Sequence, residues 1–271
     1  MSNEVLVWIV SSLLLVPVSW AVPGKYSGFL IGLISLVSLG FISPLGATWL
    51  LVSSVATYWV SVQDQFKYRR ILLLVIGVFF FAVFMTAREL HWLSIAGIAY
   101  FTQRNLSVIL DSWMQRNKTS SWMDMFAYQF FMPVIAVGPI NRYENFSRSW
   151  RMRRFDALQV ATGAERALAG LFVAVVLGTW MAGKAESLLL GMWGVNEGFL
   201  KIWSLSAFGW VQLYLVFSGL SAFAIGVALM MGICLEENFK KPYAAKTLMD
   251  FWTRWHVSLS EWCRDYVYQP V

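Results

Sequence analysis

One of the two histidines in this 271-residue chain, His256, lies in a segment (residues 250–270) that reads DFWTRWHVSLSEWCRDYVYQP. Imidazole titrates near neutrality, so it can act as a base, an acid or an oriented hydrogen-bond donor. Taken as one helix at about 100° per residue, the segment separates into faces. Trp252, Trp255, Leu259 and Trp262 form an apolar stripe, and Asp250, Arg254, Glu261 and Asp265 lie opposite. His256, with Ser260 one turn on, sits at the border. That pattern suits a helix at the edge of a membrane, with its tryptophans towards lipid or protein and its charges towards water. The structural alternative for His256 is an interfacial histidine bonded to Ser260 or Ser258. Arg254, one turn from Asp250, is expected to pair with it on the solvated face. His91 follows Glu89 near a membrane boundary, and nothing in the sequence completes a site around it.

The elements that hold this segment are read from composition. Apolar residues make up 58% of the chain and charged residues 13%, and the stretches 5–22, 26–63 and 71–86 carry no charge. A bilayer core needs about 20 apolar residues per helix, so the chain is predicted to be all-α and polytopic in a membrane. Spans are expected at 5–22, 27–43, 45–61, 71–87, 92–110, 156–182 and 202–233, with 185–198 as an outer loop. Pro44 makes the second and third a tight hairpin. Only Glu4 is charged before the first span, which reads as an anchor rather than a cleaved signal.

Basic residues cluster at Lys67, Arg69 and Arg70, and at Arg142, Arg148, Arg151, Arg153 and Arg154. Both clusters are expected on the cytoplasmic side, which places the N-terminus outside. The net charge of +6 records this bias and does not imply nucleic acid. Arg116 and Lys118 then also lie inside, so the apolar stretch 122–140 has cytoplasmic basic flanks at both ends. A spanning helix cannot satisfy both. Pro133 and Gly138-Pro139 also break helices. A re-entrant or in-plane element follows, with 132–142 lining an internal cavity, since broken backbone at membrane depth needs protein or water around it. A proline-kinked span is the alternative. Gly219, Gly226 and Gly232 are expected to permit close helix packing. Charges fall in loops or at span ends, which disfavours a transporter. Cys234 and Cys263 suggest neither metal nor disulfide.

Four motifs in order give the chain a resemblance. Residues 131–143 read FMPVIAVGPINRY, 217–226 read FSGLSAFAIG, 237–243 read ENFKKPY and 250–268 read DFWTRWHVSLSEWCRDYVY. Together they resemble the membrane-bound O-acyltransferase superfamily, closest to its bacterial branch. The resemblance implies a single acyltransferase domain over 1–271, a ring of membrane helices with re-entrant elements around a tunnel, and location in the cytoplasmic membrane. It implies no bound cofactor. A thioester such as acetyl-CoA or a charged carrier protein would serve as cytoplasmic donor, and a hydroxyl of an extracytoplasmic polymer as acceptor. The lipid bilayer and an extracytoplasmic acyltransferase are the other implied partners. His256 matches the first family histidine and is expected to support the chemistry. Pro139, Arg142, Asn238, Trp252, Arg254, Trp255 and Ser260 are expected to line or shape the tunnel.

The family's second histidine, held to be the base, lies further on than Val271, and His91 precedes the motif. The chain is therefore expected to be the N-terminal portion of a longer enzyme and inactive alone. Val216, Ala222 and Leu220 depart from the aspartates and tyrosine of many acetyltransferase members. Ala222-Phe223 and Lys241-Pro242-Tyr243 with Lys246 lean towards the D-alanyl branch. A non-catalytic scaffold or a transporter is the competing class.

Overall fold

Serine 43 and Pro44 show how local chemistry divides the apolar N-terminal half. Helix α2 (Gly24–Ile42) ends at Ser43, whose extended backbone cannot continue it, and α3 (Pro44–Val62) starts on the proline. Ser43 Oγ accepts from Gly46 N at 3.2 Å, and proline at the first helical position gives up no bond, because that N–H would be unsatisfied anyway. The computed structural model describes residues 3–62, 69–90, 98–114, 121–193 and 198–268. His91, Trp92, Lys67, Arg116 and Lys118 lie outside the described residues. Within them the chain is helical, and the one departure towards sheet is an isolated antiparallel bridge between Phe239 and Trp255.

Helices α1 (Asn3–Ala21), α2, α3 and α4 (Arg69–Leu90) lead into α5 (Ile98–Trp113). By length and composition, Asn3–Ala21, Pro44–Val62, Ala157–Gly191 and Phe199–Met230 are apolar enough to cross a membrane, with shorter apolar stretches at Tyr26–Ile42 and Ile71–Phe80. Leu14, Phe41, Val52, Val55, Ile71 and Val78 point outward, as lipid-facing residues must.

Two expectations are corrected. The span expected at 156–182 with a loop after it is instead continuous from α8 (Ala157–Leu171) through a π-helical stretch (Phe172–Met181) into α9 (Ala182–Trp193). Alanine, glutamate and leucine at 185–190 are good helix formers and carry the helix on. The span expected at 92–110 is also not purely apolar. Its described part, α5, buries Arg104, Asn105, Ser107, Asp111 and Ser112, so charge is not confined to loops.

The 122–140 stretch behaves as its flanking charges require. Helix α6 (Trp122–Gln129) has 8 residues, roughly 12 Å of helix against a core of about 30 Å, so it does not span. A 3-10 turn at Met132–Val134 and irregular backbone follow. Tyr128, Phe130, Phe131 and Met132 are fully buried, and Trp8 Nε1 donates to Met132 O at 2.9 Å. Protein therefore shields the broken backbone. Part of this stretch (Met132, Ile135, Ala136 and Val137) lines a small apolar cavity of about 70 Å³ with Trp8, Leu50 and Leu220. Pro139 and Arg142 do not line it. The basic stretch that follows is itself helical, as α7 (Tyr143–Met152). Its Arg151 pairs with Asp124 of α6 at 2.6 Å.

The tightest packing joins α8 and the π stretch to α10 (Phe199–Met230). A Cβ on Gly226 would lie 2.6 Å from Gly163 O and Ala167 N, and one on Gly219 would lie 2.6 Å from Gly170 O and Ala174 N. Backbone thus touches backbone, as the glycine spacing predicts. Gly232 differs: it turns the chain just after α10 with φ +80, a conformation in which a side chain is strained.

Gly219→Ala is expected to lower stability by roughly 1–3 kcal/mol through overpacking. Gly209→Ala, at a glycine of the same helix with nothing within 4 Å, should leave it unchanged or slightly raised. Thermal unfolding in detergent checks the pair. Equal midpoints for the two variants would refute the close helix contact.

Candidate functional site

The segment read as one amphipathic helix is two short helices with a break at the histidine. Helix α11 (Leu248–Arg254) starts at Thr247, whose Oγ1 accepts from Asp250 N at 3.1 Å. Trp255 is extended (φ −96, ψ 124). His256 adopts a left-handed conformation (φ 45, ψ 55), and α12 (Val257–Cys263) begins after it. The His256 carbonyl accepts from Leu259 N at 3.0 Å and Ser260 N at 3.1 Å, which starts the new helix. A left-handed non-glycine residue is strained unless its surroundings over-determine it. Here they do. Val257 N donates to Asn238 O at 2.9 Å, Lys240 N donates to Arg254 O at 3.0 Å, and Phe239 bridges Trp255. Tertiary pairing with 238–240 overrides the helical periodicity.

The break re-aims the residues of the expected stripe. Trp252 is half exposed. Trp255 packs edge-on against Phe239 at 5.2 Å and stacks on Phe251 at 5.6 Å. Trp262 Nε1 donates to Ser107 Oγ of α5 at 2.8 Å. Arg254 pairs with Asp250 at 2.6 Å as expected, away from any described cavity, and Ser260 is exposed. Neither Trp252, Arg254, Trp255 nor Ser260 lines a described cavity.

Ser258 takes the central place. It is buried, accepts from Ile140 N at 3.0 Å and donates to Asn238 Oδ1. One hydroxyl therefore joins the Gly138-Pro139-Ile140 backbone, the 237–243 loop and the histidine helix. Pro139 is buried beside Ile140 at this junction and lines none of the described cavities. Arg142 forms an ion pair with Asp265 and lies over the Tyr266 ring, 5.2 Å from its centroid. Burial alone would raise the Asp265 carboxyl, but the hydrogen bonds from Arg264 and Arg142 outweigh it and hold it below its usual range. Glu236 goes the other way. Burial, and then the neighbouring Glu261 carboxyl, push it up.

His256 is held by rings. Its Nε2 lies 3.4 Å from Tyr100 Oη, and the two rings are near parallel with centroids 6.1 Å apart. Phe217 meets it edge-on at 5.0 Å, and Phe239 lies 6.4 Å away. Neither Ser258 nor Ser260 is its side-chain partner, so the plain interfacial arrangement is not the one observed. Nδ1 is buried with no protein partner among the described residues. Desolvation pushes the imidazole down to about 4. The ring is neutral at physiological pH, with one nitrogen able to donate and the other to accept.

The 92–110 span expected from the sequence contains most of α5, but no role is read there for its polar face. Tyr100, Ser107 and Asp111 lie along one face at i, i+7 and i+11. They meet His256, Trp262 and Tyr266 in the same order, with Tyr266 Oη donating to Asp111 Oδ1 at 2.8 Å. Arg104, on the same helix, is 1% exposed, its guanidinium 4.3 Å from the Tyr128 ring centroid. The signal was present: Gln103-Arg104-Asn105 interrupt an apolar run, and ionisable residues there are functional candidates.

A cavity of about 430 Å³ has Phe239 in its wall. Its lining includes Asn238, Phe239, Ser221 and Tyr214 of α10, and Arg166. Asn238 Nδ2 and Ser221 Oγ are buried there without a protein partner among the described residues. Asn238 is thus the expected tunnel residue that does line a cavity. No group of three or more histidines, cysteines or acids able to hold a metal occurs among the described residues.

Comparison with known proteins gives a consistent result. The sequence model of the membrane-bound O-acyltransferase family matches residues 26–271. A probable alginate O-acetylase of Pseudomonas aeruginosa is 32% identical over 180 residues, covering 66% of this chain and 34% of that protein. A teichoic acid D-alanyltransferase of Bacillus subtilis is 30% identical, covering 65% and 45%. A peptidoglycan O-acetyltransferase of Helicobacter pylori is 26% identical, covering 82% and 46%. The matches thus take in between about a third and a half of each relative's length.

Ser258→Ala is expected to cost roughly 1–3 kcal/mol, because it leaves Ile140 N and Asn238 Oδ1 buried and unpaired. Ser260→Ala should stay within about 0.5 kcal/mol. Denaturation in detergent separates the two, and a neutral Ser258→Ala would remove the junction's importance.

His256 also predicts a pH dependence. Its folded value lies below the ordinary 6.5, so on acidification the unfolded chain takes up a proton first. Stability should fall as pH drops from about 6.5 to about 4 and lose nothing further from this group below that. The wild-type minus His256→Gln difference in thermal midpoint isolates it. A difference that is flat across this window would contradict the buried neutral ring.

Proposed function

Since the chain belongs to the membrane-bound O-acyltransferase family, we propose that it forms part of an enzyme that moves an acyl group from a cytoplasmic thioester to a hydroxyl of an extracytoplasmic envelope polymer. The observation that carries this reading is the junction at Ser258. The 131–143, 237–243 and 250–268 motifs, far apart in sequence, meet there beside a neutral imidazole. The three relatives' names share transfer of an acetyl or D-alanyl group to a named polymer: alginate, teichoic acid or peptidoglycan. The acyl group is acetyl in the first reading. D-alanyl is the second, favoured by Ala222-Phe223 and by Lys241-Pro242-Tyr243.

The chemistry balances simply. The acceptor oxygen attacks the thioester carbonyl carbon, forming a C–O bond, and the C–S bond breaks. The hydroxyl proton passes to a histidine base and on to the leaving thiolate. Fixed donors stabilise the negative oxygen in between. With an imidazole held down to about 4, His256 is a poor base at neutral pH. It serves as a fixed donor or orienting group, and the base is the second histidine that the family resemblance implies.

Acetyl-CoA or a charged carrier protein would supply the thioester from the cytoplasm, with nothing resident bound. An extracytoplasmic acyltransferase would be the natural partner for delivery to a polymer. The basic residues of the 142–154 stretch support a reading in which the His256 side faces the cytosol of a cytoplasmic membrane and the N-terminus lies outside.

In the full-length protein, His256→Ala at unchanged expression is expected to lower acyl transfer roughly 100-fold, the scale of losing one fixed donor. Ester-linked acyl groups on surface glycans, measured by mass spectrometry with and without the gene, give the readout and name the group. An unchanged ester content in the variant would end the role given to His256, and no difference without the gene would end the polymer reading.

A further inference from the structure

Among the described rings packed on the imidazole, the Tyr100 phenol is the one titratable group. Phe217 of α10 and Phe239 of the 237–243 loop close the other sides and carry no polar atom. Tyr100 stands at the start of the α5 face that continues through Ser107 and Asp111. Both of these bind the histidine segment further along, so the tyrosine is held in register by two more hydrogen bonds. Its ring runs parallel to the imidazole at an angle of 24°, which restricts rotation of the histidine about its Cβ–Cγ bond. The 3.4 Å contact is long for an O–H···N bond, as catalytic hydrogen bonds often are without substrate.

We propose that Tyr100 is a positioning residue for acyl transfer: donating its O–H to His256 Nε2, it fixes the imidazole proton on Nδ1 and so presents Nδ1–H as the donor to the reacting oxygen. The inference rests on the acyltransfer reading above. Among the described residues the phenol is the only polar side chain on the ring, so it is the side chain that selects between the two neutral tautomers. With Nε2 taken as acceptor, the proton must sit on Nδ1. Nδ1 is the nitrogen that is buried and lacks a protein partner among the described residues. A buried N–H left unpaired by the fold is costly, and pairing it with a developing oxyanion puts that cost to use in the transition state alone. No net proton transfer to or from His256 is needed. The acceptor's proton goes to the second histidine while His256 stays neutral throughout. The low basicity that burial imposes is then an advantage, because the ring does not protonate and lose its neutral tautomer.

The test uses full-length protein labelled with ¹⁵N-histidine, the His256 signals being assigned by their loss in His256→Gln. At neutral pH wild-type His256 is expected to show a protonated Nδ1 and an unprotonated Nε2, and Tyr100→Phe should shift it to a mixture of tautomers. In the same variant kcat should fall roughly tenfold, the scale of one neutral hydrogen bond, with KM for the thioester within about twofold. The thermal midpoint should stay close to that of the wild type, which separates this from a folding defect. A protonated Nε2 in the wild type, or an unaltered tautomer in Tyr100→Phe, overturns the proposal whether or not the protein transfers acyl groups. Absence of acyl transfer with the expected tautomer shift would instead leave the positioning intact and defeat the functional reading it serves.

Discussion

A single buried hydroxyl, that of Ser258, holds together pieces of chain that have no local reason to meet. Its partners are Ile140, 118 residues away, and Asn238, 20 residues away. Each partner belongs to a stretch that cannot be regular. Residues 132–142 contain Pro133 and Gly138-Pro139, and 237–243 contain a left-handed Lys241 followed by Pro242. Irregular backbone leaves N–H and C=O groups without helix partners, and burial makes each of them costly. The serine supplies one acceptor and one donor at the place where both are needed. Its position two residues after His256 means that the same bonds that repair the backbone also locate the imidazole.

The strain at His256 follows from this arrangement. The chain must bring Trp255 out as an extended residue to pair with Phe239, then restart a helix at Val257 to place Ser258. The residue between has to turn left-handed. Histidine tolerates that conformation better than a β-branched residue would, and the turn points its ring away from the helix axis, into the space between α5 and α10. The same backbone turn thus seats the ring among Tyr100, Phe217 and Phe239 and takes most of it, Nδ1 included, out of water. Its depressed basicity is a consequence of the fold, not of any neighbouring charge.

What was legible in the sequence divides along the range of the forces involved. The all-helical membrane architecture could be read from runs of uncharged residues, because hydrophobic length is a local property. The non-spanning 122–140 stretch could be read from charge on its two flanks and from its prolines, again without knowing any partner. The glycines at 219 and 226 announced close packing, though not that Gly163 and Gly170 would answer them. The break at Trp255 and His256 could not be read, since Trp252, Trp255, Leu259 and Trp262 keep a faithful helical spacing. The bridge that breaks it is long-range. The polar face of α5 was readable in principle. Arg104 stands in an apolar run, and its burial depends on the Tyr128 ring, a partner that the local sequence does not announce.

The glycine-packed helix pair gives the site its rigidity. Backbones in contact at Gly163, Gly170, Gly219 and Gly226 hold α8 and α10 at a separation set by main chain more than by side-chain rotamers. The C-terminal end of α10 is therefore a fixed point. Trp20 Nε1 donates to Met230 O at 3.0 Å just before Gly232 turns the chain. Arg153 packs on the Trp150 ring at 3.8 Å, and a side chain at Gly232 would meet its Cβ. From that fixed turn the chain needs only a few residues to reach Asn238. The anchored loop bonds Val257, and Val257 follows His256. A short path of backbone and hydrogen bonds therefore runs from the most closely packed helix pair to the imidazole. A ring held from one side by this path and from the other by Tyr100 can keep one orientation while substrate comes and goes. Preorganisation of that kind is what lets a neutral hydrogen-bond donor contribute to catalysis at all.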